Sequence, residues 1–152
     1  MGEILIATDG SRAARAAESV GFELARTRGA TALLVCVWAP LRGSFGLPVP
    51  EFLDPEFIDA ERSWAEETLA AAASRAADSE VHAETLVAKG RPVEEICRAA
   101  RDRSADMIVI GSEGWGAVLS MVLGRTTLGV LQHAPCPVVV VRDISETTKE
   151  AP

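Results

Sequence analysis

Short apolar segments alternate with longer amphipathic segments along most of this chain. The apolar segments carry few charges, which is typical of strands that are buried on both faces of a sheet. Five are present, at residues 3–8, 31–38, 81–88, 106–110 and 138–141. The third of them alternates in polarity, which favours a sheet edge. Helical segments between short apolar strands predict a three-layer α/β/α fold with a five-stranded parallel sheet.

Four helices are predicted between these strands, at residues 12–28, 56–77, 92–103 and 126–133. Ser11 is a natural N-cap for the first helix, and Gly29 supplies its C-terminal stop. Pro92 suits the first turn of the third helix. Residues 39–55 contain four prolines and two glycines, which predicts a long loop or lid.

Charge and composition exclude several classes of protein. The formal net charge is −7 and no dense basic cluster is present, which argues against a nucleic-acid-binding surface. No apolar run approaches the roughly 20 residues of a membrane span. The N-terminus lacks a signal-peptide pattern, so we expect a cytoplasmic protein. Residues 1–143 form one predicted domain, and residues 144–152 a polar tail.

The cysteines indicate no disulfide framework. Cys36, Cys97 and Cys136 are odd in number and form no CxxC pair. Each has apolar neighbours in the sequence. We expect buried, reduced thiols.

Three loops follow the carboxyl ends of predicted strands, where parallel sheets bind ligands if the strand order reverses there. They are residues 9–11, 38–40 and 111–124. Asp9 is suited to accept a hydrogen bond from a ribose hydroxyl or to hold a metal. Ala7, near the end of the strand before it, is a further predicted nucleotide-binding residue, and backbone groups at Val37 are suited to a base edge.

Glycines dominate the third loop, and its backbone is therefore suited to approach a phosphate group closely. Gly111, Gly114, Gly116 and Gly124 lie there, followed by Thr126 at the start of a helix whose N-terminus favours anions. Structural roles are equally open: Asp9 as a turn residue, the glycines as turn formers and Thr126 as an N-cap. The sequence contains no nucleophile elbow, no metal-spaced His and Cys set and no P-loop. It therefore offers no catalytic constellation and no metal-binding motif.

Four segments resemble universal stress proteins of the UspA type: residues 4–11 (ILIATDGS), 90–96, 105–114 and 131–142 (LQHAPCPVVVVR). The resemblance covers nearly all of residues 3–142. It implies an adenine nucleotide α-hydrolase-like fold with strand order 3-2-1-4-5, and a homodimer. It also implies a binding site for ATP, with or without Mg²⁺, in those members that keep a particular glycine spacing.

That spacing is Gly, two residues, Gly, nine residues, then Gly followed by Ser or Thr. Gly111, Gly114 and Gly124 keep it, but Arg125 replaces the hydroxyl residue, and Thr126 and Thr127 follow one and two positions late. Arg125 either contacts phosphate or fills the space that a small hydroxyl leaves. The adjacent acid at position 113 repels a polyphosphate unless it points outward or meets a divalent ion.

Two functions from different classes remain. The first is a stress-response protein that binds ATP as a switch or sensor, with at most slow hydrolysis. The second is a dimeric interaction module with an empty site. A flavodoxin-like redox carrier is disfavoured, since the first loop has few hydroxyls and donors for a flavin phosphate.

The last strand, Val138–Val141, carries no protective charge and would lie at a sheet edge. It therefore pairs with a second copy of the chain or is covered by the polar tail.

Overall fold

The computed structural model describes residues 2–39, 55–114 and 123–144. All the predicted strands and helices are present there, each within two residues of its predicted bounds. In chain order they are β1 (Glu3–Ala7), α1 (Arg12–Arg28), β2 (Thr31–Trp38), α2 (Pro55–Asp78), β3 (Ala83–Lys89), α3 (Pro92–Asp102), β4 (Met107–Gly111), α4 (Arg125–His133) and β5 (Val138–Val141). Residues 40–54 of the proline-rich loop and 145–152 of the tail lie outside the described residues.

The five strands form one parallel sheet in the order β3-β2-β1-β4-β5, which confirms the predicted order. The first strand pairs with both β2 and β4, so that Ile6 has Leu34 on one side and Val109 on the other. The strand order therefore reverses between β1 and β4. The carboxyl ends of these two strands mark the expected position of a ligand crevice. The edge positions of β3 and β5 are also as predicted.

Two apolar layers cover the sheet, because successive side chains of a strand point to opposite faces. One layer includes Ile4 and Ile6 with residues of α1 and α2, and the other includes Leu5 with residues of α3 and α4. The central strands are buried on both faces, as their unbroken apolar sequences predict. None of the helices in the described ranges combines the length and apolar character needed to span a bilayer.

The ends of α1 follow their predicted signals. The Ser11 hydroxyl accepts a hydrogen bond from the Ala14 N–H at 3.3 Å, and Gly29 ends the helix in the left-handed region at φ 64°. The N-cap of α4 differs from the alternative considered for Thr126. Gly124 occupies that position with extended backbone, and Thr126 lies inside the first turn. The capping role of Thr126 is therefore wrong.

Candidate functional site

The loops that follow β1 and β4 meet at the carboxyl edge of the sheet. A Cβ atom added to Gly114 would lie 2.6 Å from Oδ2 of Asp9, well inside van der Waals contact. The structure thus brings together two of the residues that the sequence assigned to one site. Any side chain at position 114 would displace the Asp9 carboxylate.

The β1–α1 loop is a tight turn closed by two side chains. Oδ1 of Asp9 accepts a hydrogen bond from the Ser11 N–H at 2.9 Å, and the Thr8 hydroxyl accepts one from the Gly10 N–H at 3.2 Å. Gly10 has φ 79°, a conformation that favours glycine. One oxygen of Asp9 therefore serves the turn, and the other lies against the β4–α4 loop. The structural role of Asp9 and a ligand-binding role are compatible.

A buried ion pair supports this turn from behind. Glu18 of α1 is only 1% exposed, and it accepts hydrogen bonds from the Thr8 hydroxyl at 2.8 Å and from Nε of Arg75 at 2.8 Å. Arg75 lies on α2, so the pair joins both helices to the residue that precedes Asp9. Sequence reasoning missed this network. The available signal was the position of Glu18, four residues from Ala14 and Phe22, on the buried face of its helix.

The end of β4 is packed against α1 and tied to α4. A Cβ atom at Gly111 would lie 2.7 Å from the carbonyl carbon of Ala13, so only glycine allows the first turn of α1 to lie this close. The Thr127 hydroxyl donates a hydrogen bond to the Gly111 carbonyl oxygen at 2.7 Å, and the residue is buried. The sequence predicts a ligand contact for Thr127. The structure instead gives its hydroxyl a backbone partner that fixes α4 against β4.

The N-terminus of α4 lies beside the residues that follow β4. The Gly124 N–H donates a hydrogen bond to the Ser112 carbonyl oxygen at 2.8 Å, and a Cβ atom at Gly124 would lie 3.3 Å from the Cα atom of Glu113. The Arg125 side chain is exposed and does not fill the protein interior, and Thr126 is half-buried. The predicted site residue Gly116 lies outside the described residues.

The ends of β1 and β2 form the other side of this edge. Ala7 is buried and pairs with Val35, and the Thr8 N–H donates to the Val35 carbonyl oxygen at 2.9 Å. Val37 lies two residues beyond this last contact between the strands and is half-buried. Its backbone therefore borders the space beyond the end of β1, and the predicted contact with a base edge stays a prediction.

The cysteines are free. Cys36 on β2 and Cys97 on α3 are buried, and Cys136 is half-buried. Burial, and secondarily the negative charge of Asp9, raise the pKa of the Cys36 thiol to about 12. Burial also raises the pKa of the other two thiols. All three therefore remain protonated at neutral pH. Within residues 2–39, 55–114 and 123–144, no group of three or more His, Cys, Asp or Glu residues is arranged to hold a metal ion.

A three-layer α/β/α fold with converging loops at the reversal of strand order defines the class of open α/β proteins that bind ligands in the crevice at this edge. The model of the universal stress protein family matches residues 1–142. The chain therefore belongs to the universal stress protein family. A universal stress protein of Thermus aquaticus is 38% identical over 141 residues, which cover 91% of this chain and 97% of that protein.

Solved structures agree with this assignment. The universal stress protein UspA from Lactobacillus plantarum superposes with a TM-score of 0.81 at 28% identity, covering 93% of this chain and 97% of that one. A universal stress protein from Archaeoglobus fulgidus, solved in complex with dAMP, gives a TM-score of 0.67 at 25% identity. It covers 93% of this chain and 98% of that one.

Proposed function

We propose that this protein binds ATP at the carboxyl edge of its sheet and acts as a nucleotide-dependent switch or sensor in the cytoplasmic stress response. The observation that carries the proposal is the contact between Asp9 and Gly114, which joins a carboxylate to a glycine-rich loop at the reversal of strand order. The dAMP complex of the Archaeoglobus fulgidus relative supports an adenine nucleotide as the ligand.

The ribose and the base would lie over the ends of β1 and β2. Oδ2 of Asp9 would accept a hydrogen bond from a ribose hydroxyl, because an ionised carboxylate is an acceptor with several lone pairs. Backbone groups of Val37 would contact the edge of the adenine. Ala7, buried at the end of β1, would form the floor beneath the nucleoside.

The phosphates would lie along the β4–α4 loop. Gly114 and Gly124 let the loop lie close to Asp9 and Glu113, and the first turn of α4 supplies N–H groups and a favourable dipole. Gly116 belongs to the same loop. Arg125 and Thr126 would contact phosphate oxygens from the helix N-terminus, and Gly111 and Thr127 would hold the loop in place. Mg²⁺ would accompany the polyphosphate and offset the charge of Glu113.

Calorimetric titration with ATP and Mg²⁺ tests the proposal. We expect binding to the unaltered chain and weaker binding to Asp9→Asn. Asp102→Asn, an exposed acid on α3, is the matched control and should bind like the unaltered chain. The absence of heat and of thermal stabilisation at millimolar ATP would contradict ATP binding and favour the dimeric interaction module instead.

We also propose that β5 pairs with β5 of a second copy. This strand lies at the sheet edge, and two exposed leucines lie on the neighbouring helix: Leu128 is 48% exposed and Leu131 is 42% exposed. Antiparallel pairing across a two-fold axis perpendicular to the sheet keeps each face on its own side, and so places the two α4 helices next to each other. One interface would then cover both the open edge of β5 and the exposed leucines of α4.

A further inference from the structure

A charged pair crosses the carboxyl edge of the sheet beside the proposed nucleotide site. Nε of Arg12, the first residue of α1, lies 3.2 Å from Oδ2 of Asp143, which follows β5 by two residues. The Arg12 side chain is 60% exposed, whereas that of Asp143 is 17% exposed. Because β4 lies between β1 and β5 in the sheet, this pair passes over the end of β4.

Two backbone contacts place the pair next to the β4–α4 loop. The Ser112 N–H donates a hydrogen bond to the Val141 carbonyl oxygen at 2.8 Å, so the residues after β4 run beside those after β5. The first turn of α1 is pressed against Gly111, as the contact with Ala13 shows. Arg12 precedes Ala13 and Asp143 follows Val141, so the pair lies beside the first residues of the loop that would hold the phosphates.

We propose that Arg12 is a phosphate-binding residue of this site and that Asp143 is an intramolecular competitor for it. This inference rests on the proposed function. A guanidinium binds carboxylate and phosphate oxygens through the same planar set of donors, so a phosphate group can replace Asp143 as its partner. The exchange is easy, because an ion pair with one exposed member contributes little stability.

The charges at this edge explain why such a residue matters. Asp9, Glu113 and Asp143 bring negative charge, and an added polyphosphate must be offset by cations. Arg12 and Arg125 stand at the N-termini of α1 and α4, on two sides of the loop. In the absence of nucleotide, Asp143 neutralises Arg12. In its presence, the guanidinium turns to the phosphates and Asp143 remains near the end of β5.

The competition sets the affinity for phosphate and leaves the affinity for the nucleoside unchanged. We expect Arg12→Gln to weaken ATP binding by about tenfold, the usual size of one charge-assisted hydrogen bond. Asp143→Asn should tighten ATP binding, since the competitor is removed while its shape is kept. Neither change should alter the affinity for adenosine, which carries no phosphate.

The experiment titrates ATP and adenosine into the unaltered chain, Arg12→Gln, Asp143→Asn and the double variant. Arg15→Gln, an exposed arginine on the same helix, is the control for net charge. The double variant should match Arg12→Gln, because removing a competitor has no effect once its target is gone. Thermal unfolding of each variant checks that the fold is kept.

The outcomes separate this inference from the proposed function. If the unaltered chain binds ATP and both single variants behave like Arg15→Gln, the competition is overturned and the proposed function stands. Weaker ATP binding in Asp143→Asn would also overturn it, because the pair would then only support the structure. If the unaltered chain binds neither ATP nor adenosine, the proposed function fails and this inference fails with it.

Discussion

Oδ2 of Asp9 lies 2.6 Å from the place that a Cβ atom would take on Gly114. This contact fixes the distance between the carboxylate after β1 and the backbone of the loop after β4. The carboxylate keeps its place only because position 114 has no side chain. In the proposed complex, ribose binding and phosphate binding would therefore be coupled through this contact.

Gly114→Ala should weaken nucleotide binding by about tenfold, equivalent to about 1.4 kcal/mol, because the added methyl group displaces the Asp9 carboxylate. Gly114 is exposed, so the free energy of unfolding should change much less. Calorimetric titration and urea unfolding measure the two quantities. In Asp9→Asn/Gly114→Ala the two losses should not add, since both act on the same carboxylate. Full additivity would contradict the coupling.

Glu18→Gln should lower the free energy of unfolding by about 2 kcal/mol, because it leaves Arg75 without its charged partner. This value is below the range for fully buried pairs, since the Arg75 side chain is partly exposed. Urea unfolding at neutral pH measures the change. Glu23→Gln, an exposed glutamate on the same helix, is the matched control and should stay within about 0.5 kcal/mol. Equal effects of the two substitutions would show that the ion pair contributes nothing particular.

The sequence predicts the elements of this fold because its local signals agree with the tertiary structure. Ser11 and Gly29 cap α1 through contacts within their own segment, so their effect is readable without the rest of the chain. The central strands are buried on both faces, and their unbroken apolar sequences predict this burial.

The candidate site is less predictable, because contacts between distant segments decide its details. The glycine spacing predicts the position of the β4–α4 loop in the sequence. It does not show that a side chain at position 111 would clash with the first turn of α1. Thr127 carries a hydroxyl suited to phosphate, yet it turns to a backbone carbonyl sixteen residues away. Gly124, and not Thr126, is the N-cap of α4, and its N–H donates a hydrogen bond to the Ser112 carbonyl oxygen. The position of Glu18 on the buried face of α1 indicates burial, but the sequence does not show that α2 brings Arg75 to it.

The stability of the protein should fall between about pH 9 and pH 12 partly through Cys36. Its thiol has a pKa raised to about 12 in the folded chain, against 9.0 for an ordinary thiol. The unfolded chain therefore loses this proton first as the pH rises, so the contribution is complete below pH 9 and is lost as the pH approaches 12. Cys36→Ala should be less stable at pH 7 but should lose stability less steeply above pH 9. Urea unfolding at several pH values measures both slopes, and parallel slopes would contradict the assignment to Cys36.

Arg125→Ser should weaken ATP binding and leave adenosine binding unchanged. The Arg125 side chain is exposed at the first residue of α4, where it is available to a phosphate group and does not obstruct the interior. Titration with ATP and with adenosine measures the difference. Arg26→Ser, in the last turn of α1, is the control. Tighter ATP binding in Arg125→Ser would mean that the arginine fills the space that the phosphates need.

Leu131→Glu should convert the proposed dimer into a monomer, as measured by sedimentation. The side chain is exposed on α4, so the added charge is solvated in a single copy and its fold should persist. In the proposed dimer, however, the two introduced carboxylates would lie close together and be partly desolvated at the two-fold axis.

Trp64→Glu is the matched control for that experiment. It places the same charge on another exposed apolar residue, which lies on α2, the helix that packs on the opposite face of the sheet. It should leave the sedimentation of the dimer unchanged. If Leu131→Glu sediments like the unaltered dimer, the α4 surface lies outside the interface. Antiparallel pairing of β5 would then be wrong as well, because that symmetry brings the two α4 helices together.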